Sequence, residues 1–335
     1  MFRPDLIAIT LLAVLLCPGL VPAQADRPAR AAAYERMEAV TGESSLTDPY
    51  QAGLEAATIA KEDLFSTQPM LVLVTDNLET TQTGKEAMLE GIGQVFPREL
   101  IFGCSSFGPI TDQGNMGAVG VLALAGPIEL RTALAEGEQR EAGRQIAQAL
   151  IEGAGDLDPR RLLIVLGNCH IPANATLIEG IREIDNDPAA LRIPYIVGGS
   201  SPMQGFQYYE GKVVQESNMG LLLAGPIGVG LSLMEAPDVE GIIKTAGYAV
   251  GEAIQSGPGR PVLELVFDCA GRMGQLGEAR AREFKAMQSG QMAGSALFGF
   301  YGSGEIGHAS PDDPCQGVGL HVAVCALSPR YSMAW

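Results

Sequence analysis

The side chains best suited to chemistry lie in two runs near the C-terminal end. The first, Phe267-Asp268-Cys269-Ala270-Gly271-Arg272, sets a carboxylate, a thiol and a guanidinium among small residues. The second, from Phe298 to His308, carries Gly302, Ser303, Gly304 and Glu305. A guanidinium takes a carboxylate through two parallel hydrogen bonds, so Arg272 suits an acidic ligand group. Glu305 can accept bonds from an ammonium group. Together the pair would recognise a zwitterion such as an amino acid by its two ends. The competing expectation is an Arg272–Glu305 ion pair that locks two loops, because charges withdrawn from water keep a partner. Asp268 either orients Arg272 or caps the next turn.

Other candidates are weaker. Ser105 and Ser106, with Ser200 and Ser201, sit in two matching turns, where hydroxyls either meet a ligand or satisfy local backbone groups. Asn115 and Asn218 suit turn geometry. Of the three histidines, His170 adjoins Cys169, His308 follows Glu305 and His321 falls in a predicted strand. No HExxH, paired CxxC or histidine cluster is present, so zinc would need ligands scattered over the fold. Haem needs only one histidine, and His170 or His308 would supply it, although no CxxCH attachment sequence occurs. A cysteine nucleophile at Cys104, Cys169 or Cys269 would need a histidine within reach. There is no GxSxG elbow, no Walker A loop and no GxGxxG after the first strand. The expectation is therefore a binding protein without catalytic residues or a required cofactor. Haem binding and a cysteine-dependent enzyme stand as alternatives.

The elements that must position these groups follow from apolar periodicity. Residues 262–267 and 296–301 read as strands, and 277–288, with Leu276, Ala279, Phe284 and Met287 among charges, reads as the helix between them. Strand, helix, strand puts both tips at one edge of a parallel pair, where open α/β sheets hold ligands. The expected ligand set is Arg272, Glu305, Cys269, Gly271 and Gly304, with the turns at Ser105 and Ser200. Glycines there would let backbone amides approach a ligand closely.

The rest of the chain repeats this unit. Asn115-Met116-Gly117 leads into an apolar run ending Ala125-Gly126-Pro127-Ile128, and Asn218-Met219-Gly220 leads into one ending Ala224-Gly225-Pro226-Ile227. Upstream, Gly103-Cys104-Ser105-Ser106 matches Gly198-Gly199-Ser200-Ser201. A third, weaker copy closes the chain. Each copy opens with a strand, at 70–74, 162–166 and 262–267. Helices are expected at 54–64, 85–95, 138–151, 176–184 and 239–255, and the turn at Glu210-Gly211 predicts a hairpin whose second arm is 212–216. The fold class is α/β, with duplicated β-α-β units and mixed parallel and antiparallel sheets.

The Cys269-Ala270-Gly271-Arg272 tip, followed by Gly299-Phe300-Tyr301-Gly302-Ser303-Gly304-Glu305-Ile306, resembles the C-terminal half of the FIST sensory domain family. Most of the chain after about Gly53 is compatible with that family. The resemblance implies a bacterial signalling protein that binds a small ligand such as an amino acid. Some similar proteins are described as haem-binding nitric-oxide sensors, which is the source of the haem alternative. It also implies two FIST-like halves, divided here at 53–234, holding two repeats, and 235–330. With Trp335 last, no kinase, chemoreceptor or cyclase output domain is expected to follow, so any signal would pass to a separate membrane receptor or be limited to sequestration.

Bulk properties bound the rest. The 335 residues are 47% hydrophobic and 18% charged, which is a globular composition. A formal charge of −17 with scattered basic residues argues against nucleic acid and against direct binding to an anionic membrane. Arg3, the apolar run 6–16 and Ala23-Gln24-Ala25 form a signal-peptide pattern over 1–25, so the mature chain is expected in the periplasm or outside the cell. Residues 26–52 read as a leader with a short helix at 31–39. Cys17 fits lipoprotein processing poorly, with the bulky Leu16 before it. Five cysteines remain after cleavage, an odd number; Cys315 and Cys325 could close a loop, and buried thiols are the plainer expectation.

Overall fold

A computed structural model of the chain describes residues 36–66, 68–152, 158–159, 161–168, 173–187, 192–202 and 205–330. The signal-peptide pattern, leader residues 26–35, Cys17, Cys169 and His170 lie outside the described residues.

Three modules of one design follow one another. The first runs β1 (Glu38–Ser44), α1 (Pro49–Asp63), β2 (Leu71–Asp76), α2 (Gln82–Gly93), β3 (Ile101–Ser105), β4 (Pro109–Ile110) and β5 (Val119–Ala125). The second runs β6 (Glu129–Glu136), α3 (Gln139–Glu152), β7 (Arg161–Gly167), α4 (Ala173–Ile184), β8 (Tyr195–Ser200), β9 (Gln207–Tyr209), β10 (Lys212–Val214) and β11 (Ser217–Ala224). The third runs β12 (Ile227–Glu235), α5 (Val239–Ser256), β13 (Leu263–Cys269), α6 (Ala270–Leu276), α7 (Arg280–Gly290), β14 (Ala296–Gly302), β15 (Glu305–Gly307), β16 (Gln316–Val318) and β17 (His321–Pro329). The repeated Gly-Pro pairs are the joints, and Gly126 and Gly225 turn the chain with φ of 149° and 150°. The sequence-based division near Met234 falls at the end of β12.

Each module builds a sheet in the same order, β1-β5-β2-β3, β6-β11-β7-β8 and β12-β17-β13-β14, and each sheet is completed by a neighbour. The first takes β9 and β10 from the second module, the second takes β15 and β16 from the third, and the third takes β4 from the first. This cyclic exchange ties the modules together. In each, a parallel pair (β2–β3, β7–β8, β13–β14) sits among antiparallel neighbours.

Alternation along the strands explains the layers. Leu71 and Leu73, Leu162 and Ile164, and Leu263 and Leu265 point into one central core shared by all three sheets. Val72 and Val74, Leu163 and Val165, and Val266 face outward under the helices. The parallel pairs carry a glycine opposite a valine each time. A methyl on Gly103, Gly198 or Gly299 would lie 1.8, 1.9 or 1.7 Å from the carbonyl oxygen of Val74, Val165 or Val266. These positions fix the equivalence of the modules and set Asp76, Gly167 and Asp268 at matching strand ends.

Several expectations are corrected. Glu38–Ser44, read as leader, is β1, paired along its length with β5. Its Gly42 packs against the α1 backbone at Ala56 and Ala60, so tertiary packing holds a polar segment extended. The two Asn-Met-Gly tripeptides are not equivalent: Asn115 lies in a loop before β5, whereas Asn218 lies inside β11. The helix expected at 277–288 is α7, entered through a 3-10 turn at Gly277–Ala279; what the sequence did not foresee is α6, which begins at Ala270 immediately after β13. Arg272 therefore stands on a helix, not in an open tip.

Candidate functional site

The C-terminal ends of β13 and β14 converge on a buried polar cluster. Cys269 ends β13 and caps α6, its Sγ accepting from the Gly271 N–H at 3.3 Å. Because the helix starts at once, Arg272 is carried back beneath it, one turn from Asp268. It is fully buried. Its Nε donates to Asp268 Oδ1 at 2.7 Å, and Nη2 donates to Glu283 Oε1 and the Ile242 carbonyl, both at 3.2 Å. Nη1 donates to Thr245 Oγ1 at 3.2 Å. Every guanidinium nitrogen is thus engaged within the third module, and Arg272 makes no ion pair with Glu305 among the described residues.

Glu283, from α7, extends the cluster. Its Oε2 accepts from the Tyr301 hydroxyl at 2.8 Å, and that hydroxyl accepts from Asn115 Nδ2, also at 2.8 Å. A loop of the first module therefore closes over the tip of the third. Burial and then the Asp268 charge push the Glu283 carboxyl up to about 9, so it keeps its proton at neutral pH and donates to Asp268. One arginine faces two carboxyls here, and this proton removes the surplus negative charge.

Glu305 lies beside this cluster on β15. Its Oε2 accepts from the His321 backbone N–H at 3.1 Å, and the Cys269 thiol lies against the carboxylate. Burial, helped by the Asp268 charge, raises its pKa well above the ordinary range. Two buried oxygens are left over: Glu305 Oε1 and Asp268 Oδ2 accept from no N–H or hydroxyl among the described residues, and the Cys269 thiol and the Glu283 proton are the donors their carboxyl groups have nearby. Gly304 beside them is needed for close packing, since a methyl there would meet Asn174 Nδ2 at 2.9 Å. Asn174 Nδ2 in turn donates to the Glu305 and Val318 carbonyls at 3.0 and 2.8 Å.

The structure joins some expected residues and separates others. Cys269, Gly271, Arg272, Gly304 and Glu305 are neighbours. Ser200 joins them through its backbone, with its N–H on the Gly304 carbonyl at 2.9 Å and its carbonyl accepting from Ser303 N–H at 2.8 Å. Ser105 stands at a different seam, where its hydroxyl both accepts from the Phe206 N–H at 2.8 Å and donates to the Phe206 carbonyl at 3.1 Å. His308 is buried, with Nε2 accepting from the Ile196 N–H at 3.1 Å and Nδ1 2.7 Å from the Asp313 carbonyl. Both ring nitrogens are held, so His308 does not fit an axial haem ligand. Cys104 and Cys325 lie in the central core, and burial pushes both thiols up. Cys315, on the rim of the second core, is pushed up to about 12. The four described cysteines are free thiols. Among the described residues no group of three or more His, Cys, Asp or Glu side chains could hold a metal ion.

A second buried cluster escaped the sequence reading. Asp76, at the position equivalent to Asp268, binds Lys85 Nζ from α2 and the Tyr208 hydroxyl from the exchanged β9. The Leu78 N–H adds a bond at 3.0 Å to Asp76 Oδ1, and Lys85 also donates to the Leu78 carbonyl at 2.8 Å. The only signal in the sequence was an aspartate closing an apolar strand. Open grooves lie elsewhere, one of about 420 Å³ lined by Leu231, Met234, Tyr248 and Glu252, and one of about 750 Å³ at the opposite ends of the strands, lined by Arg36, Arg260 and Gly294.

The FIST N domain family matches residues 70–235, and the FIST C domain family matches residues 176–308. No curated protein matches the sequence. Among solved structures the chain is similar to cyanuric acid hydrolase from A. caulinodans, at 12% identity and a TM-score of 0.44, over 88% of this chain and 100% of that one. A further cyanuric acid hydrolase structure is similar at 12% identity and a TM-score of 0.47, over 87% and 100%. A chorismatase is similar at 9% identity and a TM-score of 0.44, over 88% and 99%.

Proposed function

The chain belongs to the FIST family, whose domains are associated with sensory signal transduction, and from this we propose an exported sensor that captures a small polar, amino-acid-like molecule. The observation that carries the reading is a pair of buried carboxylate oxygens at the Cys269 tip, Asp268 Oδ2 and Glu305 Oε1, that no N–H or hydroxyl among the described residues reaches. A buried acceptor without a donor forfeits free energy, and a ligand ammonium supplies donors to both. In this reading Glu305, Cys269, Gly271 and Gly304 form the recognising surface, the Ser200 turn shapes it, and Arg272 fixes Asp268 and Glu283 behind it. The Ser105 turn supports the neighbouring seam. Export rests on the pattern of residues 1–25; the first residue of the secreted chain, read by mass spectrometry, is expected to be Asp26.

A thermal-shift screen of the chain from Asp26 onward tests the ligand reading, with amino acids, small amines and small carboxylates. Ligand at about a hundred times its dissociation constant stabilises a fold by about 2.7 kcal/mol, which is readily visible. Glu305→Gln is expected to abolish the shift given by amine-bearing ligands. A wild-type chain indifferent to every amine would overturn the assignment.

A further inference from the structure

Arg280 has no oxygen partner for its guanidinium among the described residues. It opens α7 at the seam between the first and third modules and is half-buried. Its Nε and Nη2 point at the Met116 sulfur, at 3.0 and 2.6 Å, and Nη1 points at the Met273 sulfur, at 3.1 Å. Thioethers are weak acceptors, so the guanidinium's donors are only nominally satisfied. The cation stands over the Tyr301 ring, 5.7 Å from its centre, which fixes its plane without neutralising it. Glu43 is near enough to feel this charge, but its carboxylate is turned to the Thr111 hydroxyl at 2.5 Å and lies beyond ion-pair distance.

Beside Arg280 there is room for an atom. A methyl built on Gly108 would have nothing nearer than 3.7 Å; its closest neighbours would be Arg280 Nη1, the Tyr301 ring and, at 3.8 Å, Asn77 Nδ2. The Asn77 amide makes no side-chain hydrogen bond among the described residues. Two nitrogen donors therefore flank one small space, and Met116, whose sulfur meets the same guanidinium, is 66% exposed.

We propose that Arg280 and Asn77, over the open backbone of Gly108, form a niche for the carboxylate of a small ligand. The planar fork and the side amide suit two oxygens in one plane, and a single cation balances one negative charge rather than a phosphate dianion. Ligand oxygens would replace the Met116 and Met273 sulfurs as acceptors, and Met116 would move aside. The proposal rests on the reading of the chain as a small-ligand sensor and gives an acidic ligand group its cation at Arg280, since Arg272 is sealed.

Isothermal titration tests it with the twenty amino acids, the dicarboxylates from oxalate to adipate, the matched decarboxylated amines and inorganic phosphate as probes. Wild type is compared with Arg280→Met, Gly108→Ala and Glu305→Gln, and circular dichroism checks each fold. Gly108→Ala fills the niche with an added methyl in ordinary contact and leaves every charge in place. A carboxylate probe that binds wild type, and binds both Arg280→Met and Gly108→Ala at least about tenfold more weakly, is the expected result. Unchanged affinity in those two variants, with loss only in Glu305→Gln, would overturn this niche and leave the Glu305 site standing. Tighter binding of phosphate than of any carboxylate would overturn the ligand class, and silence of wild type to every probe would overturn both readings.

Discussion

Replacing Glu283 with glutamine is expected to change how stability depends on pH more than it changes stability itself. Glu283 is fully buried, between Arg272 and the Tyr301 hydroxyl, and its carboxyl is pushed from an ordinary 4.5 up to about 9. Between those values the folded chain holds a proton that the unfolded chain has released. Stability therefore falls as pH rises through this window, by about 1.4 kcal/mol per pH unit for one proton. Glutamine keeps the shape, accepts from Arg272 or Tyr301, and donates permanently toward Asp268. The variant lacks that slope, so its advantage over wild type should grow by about 2.7 kcal/mol between pH 6 and pH 8. Asp268, Glu305 and Glu264, whose pKa values are also raised by burial, remain in both proteins and largely cancel in the difference. Urea unfolding followed by circular dichroism at pH 6, 7 and 8 supplies the comparison. Parallel stability curves for the two proteins would refute the reasoning, because they would mean that Glu283 is ionised in the folded state.

Removing the cation is a different perturbation. Arg272→Ala strands Asp268 in the interior and should cost about 3–5 kcal/mol, seen as a melting point lowered by roughly 5–10 °C; a drop under about 2 °C would contradict the buried triad. Gly299→Ala puts a methyl 1.7 Å from the Val266 carbonyl oxygen, so β13 and β14 must part. The expected loss is about 3 kcal/mol or more, and soluble protein of wild-type melting point would count against the strand register. Iodoacetamide with peptide mapping should leave Cys104 and Cys325 unmodified in the native chain and label both in urea, as burial in the central core requires. An amine bound at Glu305 should expel the carboxyl proton. Its affinity would then rise with pH across the raised titration range, and calorimetry in two buffers of unlike ionisation enthalpy should report proton release.

The parts of the fold legible in the sequence are those where local pattern and tertiary burial agree. Strands buried on both faces, such as β2 and β7, read as continuous apolar runs. The hairpin at Glu210-Gly211 was legible because both residues take positive φ, 51° and 68°, the conformation a two-residue turn demands. The opening strands β1 and β6 were missed for the opposite reason. Each is partly exposed and polar, and Glu129–Glu136 is rich in helix formers, yet pairing with β11 along its length holds it extended. The exchange of β4, β9–β10 and β15–β16 leaves no mark on composition, because a short strand reads alike whichever sheet receives it. In the candidate site, residue types were legible and directions were not. Arg272 suited an open tip until α6 began at Ala270 and turned it inward.

The repetition of the fold supplies its own control for the candidate site. Asp76 and Asp268 occupy matching strand ends, both buried and both beside a cation from the following helix. In the first module the account closes: Lys85, the Leu78 N–H and the Tyr208 hydroxyl occupy both oxygens of Asp76. In the third module the exchanged strand is β4, a dipeptide of Pro109 and Ile110, which brings no hydroxyl to Asp268. The tyrosine there, Tyr301, serves Glu283 instead, and Asp268 Oδ2, like Glu305 Oε1, is reached by no N–H or hydroxyl among the described residues. A position that one module closes with its own side chains is thus left open in another built on the same frame. Unmet demand at one of two equivalent positions separates a ligand site from a structural ion pair, and on that ground the third tip, not the first, is where a donor from outside belongs.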